Sequence, residues 1–461
     1  MKIAIIGGGP GGYVAAIRAA QLNAEVALVE KDKVGGTCLN KGCIPTKVLL
    51  HASKEFAAAK NFESYGIKIK GAELDWAGIQ KRKAEIVDKQ VKGIEGLLVN
   101  NKVVKIKGEG SFISKNQLKV KDGDGSETRV DFDYAIIATG SKPFIIPIPG
   151  VDLPGVITSD EALNLTEVPR SMVIIGGGVI GCEFADVFSA LGCKVTIIEM
   201  LPNIIANMDR DIVSTLRDKF YNTGVEVYTD TKVVSITKAE EGLFVNTESG
   251  GSNRSFAADK VLLAIGRRPV IDNLALENAG ILTQRGAVAV NKNMQTNVPN
   301  IYAIGDAIGG VMLAHAASSE GIAAVESIMN MKPNIDFNTI PYCVYTKPEL
   351  AGVGLTEDQA RQKGYDVRVG LFPMSINGKA MIEDEQEGLV KYVTDGATGE
   401  VLGLHISGPN ATELIVEGAL ALRLEATIDE ITSTIHAHPT VGEALHEAAH
   451  GVDGKAIHRP K

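Results

Sequence analysis

Cys38 and Cys43 stand five positions apart in the run Gly-Gly-Thr-Cys-Leu-Asn-Lys-Gly-Cys-Ile-Pro-Thr-Lys that spans Gly35 to Lys47. Thiols so spaced can exchange with a substrate disulfide, close a structural bridge, or stay free and buried. On a regular α-helix the rise and radius would hold their Cα atoms roughly 8 to 9 Å apart, beyond the ~7 Å that a disulfide tolerates. A bridge here demands a distorted turn, and Gly35, Gly36, Asn40 and Gly42 accept one. A strained bridge is easily reduced, whereas a structural bridge closing so short a loop would stabilise only about 2 kcal/mol. Spacing alone leaves all three readings open.

A proton acceptor for such thiols is sought among the histidines, five of which fall in the last thirty residues. His438 precedes Pro439, and Glu443 lies five residues on. That carboxylate could hold one tautomer of the imidazole and leave the other nitrogen to exchange a proton with a thiol. His436 competes for the role. His446-Glu-Ala-Ala-His450 matches H-E-x-x-H, in which two histidines one turn apart grip a metal and Glu447 acts as base. It is set aside: only His458 follows as a third ligand, near the chain end, so surface histidines and no metal are expected.

The elements that must position these groups show in a self-comparison. Ile3 to Lys31 and Val173 to Met200 match at a fixed offset: Gly7, Gly9, Gly12 and Glu30 fall on Gly176, Gly178, Gly181 and Glu199. Each copy reads as a β-branched strand, G-x-G-x-x-G, a helix, a second strand and an acid 18 positions after the last glycine. The first glycine makes the tight turn, the second admits a pyrophosphate, and the third lets helix pack on strand. The helix N-terminus offers amide donors to the phosphates, and the acid accepts from ribose hydroxyls. No Arg or Lys follows Glu199 closely, which favours NAD over NADP at the second site.

A long amphipathic helix is expected over 74–101, then short antiparallel strands over 103–130 around Asp122-Gly-Asp-Gly. Ile136 to Gly140 ends a buried strand, echoed by Val261 to Gly266, and four prolines from Pro143 to Pro154 make a stiff connection. Asn300 to Asp306 reads as another buried strand ending on an acid that could bind a polyol chain or cap a helix, and a helix follows over 315–331. Strands near 345, 367–372 and 389–393 alternate with helices at 357–363 and 412–425 beyond Pro341. The run Glu383-Asp384-Glu385 reads as a solvated turn.

At 461 residues there is room for about three domains. A net charge of −9 argues against nucleic acid or an anionic membrane as partner. The first apolar run, Ile3 to Ile6, is too short for a signal or a membrane span, so a cytoplasmic protein is expected. Five cysteines, with Cys182, Cys193 and Cys343 scattered singly, do not make a secreted disulfide framework.

With these motifs the chain resembles the dihydrolipoamide dehydrogenase family, within the flavoprotein disulfide reductases, from Ile3 through His438-Pro-Thr. The resemblance implies an α/β fold of two Rossmann-like dinucleotide-binding domains and a C-terminal α+β dimerisation domain. It implies FAD-binding segments at 1–142 and 270–337 around an NAD-binding domain at 143–269, with the interface domain at 338–461. FAD would be held by Gly7, Gly9, Gly12, Glu30, Gly140 and Asp306, with Lys47 near the flavin ring. NAD would be held by Gly176, Gly178, Gly181, Glu199 and Gly266, with Glu183 beside the nicotinamide. Cys38 and Cys43 would be the redox disulfide, and His438 with Glu443 the acid–base dyad, reaching into the partner of a homodimer. No cysteine follows Cys343, so a C-terminal thiol pair is absent. The lipoyl group is expected on another protein, of a 2-oxoacid dehydrogenase, acetoin or glycine cleavage system. The same scaffold would also suit another NADH-linked flavin disulfide reductase or an NADH oxidase.

Overall fold

The computed structural model describes residues 1–240 and 242–459. The β-branched run Lys2–Ile6 is the central strand of a five-stranded parallel sheet. Glu25–Glu30 and Val104–Lys107 lie on one side of it, Tyr134–Ile137 and Ile301–Ala303 on the other. Ile3, Ala4 and Ile5 are buried without a break, as a strand covered on both faces requires. The outer strand Ile301–Ala303 arrives only after the chain has built a second unit.

That second unit repeats the plan. Ser171–Ile175 is central in another parallel sheet, with Lys194–Ile198 and Glu226–Tyr228 on one side and Lys260–Leu263 and Val156–Thr158 on the other. Each unit also carries a three-stranded antiparallel sheet. The first, Glu109–Ser114, Gln117–Lys121 and Glu127–Asp131, is the expected one. The second, Lys232–Ala239, Gly242–Ser249 and Ser252–Ala258, had no counterpart among the expectations. Val104–Lys107, expected among the antiparallel strands, instead pairs in parallel with Glu25–Glu30.

The long helix runs Trp76–Asn100, capped by Asp75, whose side chain accepts from the Gly78 amide. The later helix Ala314–Ile328 packs on Pro10–Gln21. A Cβ on Gly321 would come within 2.6 Å of the Gly11 carbonyl oxygen, so glycine sets the closeness of this crossing. From Tyr342 a third, antiparallel sheet forms, in the order Tyr342–Val344, Glu349–Gly354, Val401–Gly408, Leu389–Asp395, Val367–Pro373. Helices Ala411–Arg423 and Glu443–Val452 cover it.

Long side chains join the units. Fully buried Lys391, on the third sheet, meets Asp209 at 3.1 Å and Asp211 at 2.6 Å on the second unit, and Glu357 at 2.8 Å. The acidic run is not simply solvated: Glu385 pairs with Lys54 at 2.9 Å and Lys347 at 3.4 Å, fastening this turn to the helix Cys43–Ala59.

Candidate functional site

Both glycine turns have the geometry a dinucleotide needs. Gly7 and Gly176 adopt φ +106° and +110°, where a Cβ would collide with the carbonyl oxygens of Ala138 at 2.2 Å and Ala264 at 2.5 Å. A Cβ on Gly12 would meet the Gly7 carbonyl oxygen at 1.8 Å, and one on Gly181 the Gly176 oxygen at 2.0 Å. Space is left at the middle glycines: nothing lies within 4 Å of a Cβ on Gly178, and only the Gly36 Cα at 3.8 Å from one on Gly9. Both following helices start on these glycines without a side-chain cap, so their first amides face the space where a pyrophosphate would sit. Glu30 accepts from the amides of Gly8 at 2.6 Å and Asp32 at 2.8 Å. Glu199 accepts from Gly177 at 2.6 Å and Leu201 at 2.7 Å. The two acids are held alike. Gly140 and Gly266, at φ +70° and +118°, have open space where a side chain would stand.

The cysteine segment leans on the first cradle. The Gly35 amide donates to the Gly8 carbonyl at 2.8 Å, and a Cβ on Gly36 would strike the Gly9 Cα at 2.6 Å. Helix Gly36–Lys41 then stops, and Gly42 turns the chain into Cys43–Ala59. That break replaces the regular helix that would have parted the sulfurs. It is a close approach: a Cβ on Gly42 would lie 3.0 Å from the Thr37 carbonyl oxygen and 3.4 Å from the Cys38 Cα. Cys38 and Cys43 are free thiols that hydrogen-bond to one another. Accepting from Cys38 pulls the Cys43 thiol down to about 7 against the burial that opposes it, with Lys47 assisting. Donating that bond, together with burial, pushes the Cys38 thiol far up. The pair is therefore polarised, with Cys43 the member that carries charge.

Lys47 lies one turn beyond Cys43, and its Nζ meets both carboxylate oxygens of Glu183 at 2.9 Å. Glu183, 4% exposed at its side chain, also accepts from the Tyr345 amide at 3.1 Å. The Lys47 ammonium sits 4.4 Å from the Tyr345 ring centroid. This pair joins the cysteine helix, the second glycine helix and the third sheet. One turn past Glu183, Asp186 accepts from the Lys347 amide at 3.1 Å, and burial pushes its carboxyl up to about 7.

Asp306 caps no long helix. It lies in the short 3₁₀ turn Gly305–Ile308, and its Oδ2 takes a hydrogen bond from the Ser141 hydroxyl at 2.5 Å. Arg267 donates to Ser141 twice, from Nε to the hydroxyl at 2.7 Å and from Nη2 to the carbonyl at 2.9 Å. Ser141 and Arg267 directly follow Gly140 and Gly266, and Ser141–Pro143 pairs antiparallel with Arg267–Pro269. Behind the turn, Glu320 accepts from the Gly305 amide at 2.6 Å, and burial pushes its carboxyl up to about 7. None of Ser141, Arg267, Glu320 or Tyr345 was among the expected site residues. For Ser141 and Arg267 a signal existed: each follows the glycine that the internal repeat aligns.

At the C-terminus, His438 Nδ1 lies 2.8 Å from Glu443 Oε1. Burial would raise the Glu443 carboxyl, but the Thr440 amide at 2.9 Å and His438 outweigh it and hold it low. The His438 ring is 80% exposed, and within the chain no described residue hydrogen-bonds to its Nε2. His436 is placed differently, with Nδ1 3.0 Å from the Thr434 carbonyl and Nε2 3.3 Å from Glu417. Both its nitrogens are engaged, which leaves His438 as the imidazole with a nitrogen to spare. The H-E-x-x-H residues are only half on the surface. His446 lies between His436 and His450, tilted to the first at a centroid distance of 5.0 Å and edge-on to the second at 4.6 Å, and its Nε2 donates to the Thr432 carbonyl at 3.0 Å. Buried Glu447 accepts from the amides of Ile457 and His458 and the His458 ring, at 2.8–3.0 Å. Among the described residues no three His, Cys, Asp or Glu side chains are grouped to hold a metal ion.

The chain is similar to known proteins along nearly its whole length. Residues 1–321 match the family described as pyridine nucleotide-disulphide oxidoreductase, and residues 340–449 match its dimerisation domain. A dihydrolipoyl dehydrogenase of Bacillus subtilis is 42% identical over 99% of this chain and 98% of its own length. A leghemoglobin reductase of Vigna unguiculata is 42% identical over 97% of this chain and 86% of its own. Among solved structures, LpdA of Mycobacterium tuberculosis superposes with a TM-score of 0.91 at 27% identity, covering 97% of this chain and 99% of that one.

Proposed function

The chain belongs to the pyridine nucleotide-disulphide oxidoreductases, and from that premise we propose that it oxidises protein-bound dihydrolipoamide to lipoamide and delivers the electrons to NAD. FAD and NAD are its cofactors, and the two open glycine cradles fit them. FAD falls to Gly7, Gly9, Gly12, Glu30, Gly140 and Asp306, and NAD to Gly176, Gly178, Gly181, Glu199 and Gly266. When bound, the flavin accepts an electron pair from the thiols and hands it to NAD as hydride. The observation that carries the reading is the cysteine turn: two free thiols, Cys38 and Cys43, on either side of the helix break at Gly42, in a segment fastened to the first glycine cradle, with the Lys47–Glu183 pair one turn on.

In the oxidised enzyme Cys38 and Cys43 form a disulfide. His438, held by Glu443, takes the proton from one thiol of the substrate, and the thiolate attacks Cys38. A substrate–Cys38 disulfide forms, the Cys38–Cys43 bond breaks, and Cys43 leaves as thiolate beside Lys47. The second substrate thiol then attacks its neighbour sulfur, closing the lipoamide disulfide and breaking the bond to Cys38, which leaves as a thiol carrying that second proton. Two protons and two electrons have left the substrate, and the electrons rest on the cysteine pair. The dimerisation domain makes the chain a homodimer, and the exposed His438 of one copy serves the cysteines of the other. Glu183 fixes Lys47 at the junction of the two cradles.

Replacing Cys38 or Cys43 with Ser should abolish lipoamide turnover and leave folded, yellow protein; near-normal turnover in both variants would end the proposal. His438→Gln should slow the thiol half-reaction at least a hundredfold with flavin retained, and His436→Gln far less. NADH consumption with lipoamide, glutathione disulfide and oxygen as rival acceptors separates this activity from a different disulfide reductase or an oxidase.

A further inference from the structure

The loop that carries His438 is hydrogen-bonded mostly to itself. Glu443 meets the His438 ring through Oε1 at 2.8 Å and accepts from the Thr440 amide through Oε2 at 2.9 Å, and the Thr440 hydroxyl donates to the Ala437 carbonyl at 2.7 Å. These bonds shape the turn without fixing it on the rest of the chain. Among the described residues, one hydrogen bond alone reaches residues 437–442 from outside the segment 437–446: Asn377 Nδ2 donates to the Thr440 carbonyl at 3.2 Å. Asn377 is itself buried and held at every polar group. Its Oδ1 accepts from the Ala380 amide at 2.9 Å, capping the helix Gly378–Ile382, and its own amide donates to the Met374 carbonyl at 3.0 Å. With the side-chain oxygen committed to an N–H, the side-chain nitrogen must face an acceptor, so its partners fix which way the group is turned. The helix it caps leads to Glu385, which pairs with Lys54 on the helix Cys43–Ala59. The histidine loop is thereby tied to the element that begins at Cys43.

We propose that Asn377 is a positioning residue of the acid–base dyad: by holding the Thr440 carbonyl it sets the Thr440 amide against Glu443, and through Glu443 the direction in which His438 presents its Nε2. A misplacement of about 1 Å at a reacting group costs on the order of a hundredfold in rate, so one hydrogen bond two residues from the imidazole has leverage on proton transfer. This inference rests on His438 being the base of the proposed reaction, but it also concerns the posture of the loop, which is measured without turnover.

The test uses Asn377→Ser, because serine still caps a helix but is too short to reach Thr440. Native holoenzyme, Asn377→Ser, Glu443→Gln and the double variant are compared in stopped flow. Asn377→Ser should slow flavin bleaching by dihydrolipoamide about tenfold and leave bleaching by NADH within about twofold of native. Added to Glu443→Gln it should cost little more, since residues that act through one group are not additive. A native rate with dihydrolipoamide, an equal slowing with NADH, or two effects that simply multiply overturns the proposal. Hydrogen exchange of the amides in residues 437–443, followed by mass spectrometry, should quicken about tenfold in Asn377→Ser, and an unchanged rate also overturns it. Should the Ser variant not fold, Asn377→Asp, which keeps the capping oxygen and removes the donor, takes its place in every comparison. If dihydrolipoamide does not bleach the native enzyme, the proposed function fails, while the exchange measurement still decides whether Asn377 holds the loop.

Discussion

Single residues here owe their reactivity to what they are bonded to. Cys43 is depressed to about 7 because it accepts from Cys38, so in the reduced enzyme its alkylation should follow a titration with a midpoint near pH 7, read by mass spectrometry after timed exposure. Cys38→Ala removes the donor and should move that midpoint up; no movement would mean that another group lowers it. Glu320 shows the opposite sign. Its carboxyl is raised to about 7 by burial, so the folded chain binds more protons than the unfolded one between about pH 4.5 and 7. Its contribution to stability is therefore complete below the unfolded value and is lost as pH climbs to 7. Glu320→Gln keeps an acceptor for the Gly305 amide without the charge, and should flatten the decline by up to about 3 kcal/mol. Urea titrations at pH 5 and pH 8 measure the difference.

Among elements, the glycine helices make the sharpest prediction. A Cβ on Gly181 would stand 2.0 Å from the Gly176 carbonyl oxygen, so Gly181→Ala must push its helix off the strand and spoil the second cradle alone. Flavin content and flavin bleaching by dihydrolipoamide should survive, while bleaching by NADH should slow more than a hundredfold in stopped flow. Equal damage to both would show that the cradles do not work separately. These turns were legible in the sequence because their demands are local: glycine at fixed spacings, a β-branched run before, an acid 18 residues after the last glycine. So was the cysteine turn, through Gly42. The second antiparallel sheet was not, for its strand Ser252–Ala258 is polar and mostly exposed and shows little alternation. Neither was the chain Arg267–Ser141–Asp306, whose members meet across more than 120 residues. Glu385 misled because a charged turn reads as solvated whatever lysines the fold brings to it.

For the whole molecule, the helix Ala411–Arg423 leaves an apolar seam uncovered in the single chain. Val416, Leu420 and Leu424, four residues apart, are 68%, 58% and 68% exposed, and Ile435 nearby in sequence is 96% exposed. Such a face on a chain that dimerises is where the second copy belongs. Leu420→Asp should yield monomers by sedimentation and, on the mechanism proposed above, lose lipoamide turnover at least a hundredfold, since His438 would be parted from the partner's cysteines. NADH oxidation by a small artificial acceptor, which needs no histidine from a partner, should persist. A monomer with full lipoamide turnover would place the base within its own chain. No helix among the described residues is long and apolar enough to cross a membrane.

The first sheet takes its outer strand from Ile301–Ala303, while every strand of the second lies between Val156 and Leu263. On the ribosome, then, the order of construction is the reverse of the order of reading. The later-encoded unit has all its strands in hand while the earlier one still waits for an edge. A nascent polypeptide arrested once residue 290 has left the ribosome should already retain immobilised nicotinamide nucleotide yet emerge colourless, and pigment should come only with the last edge.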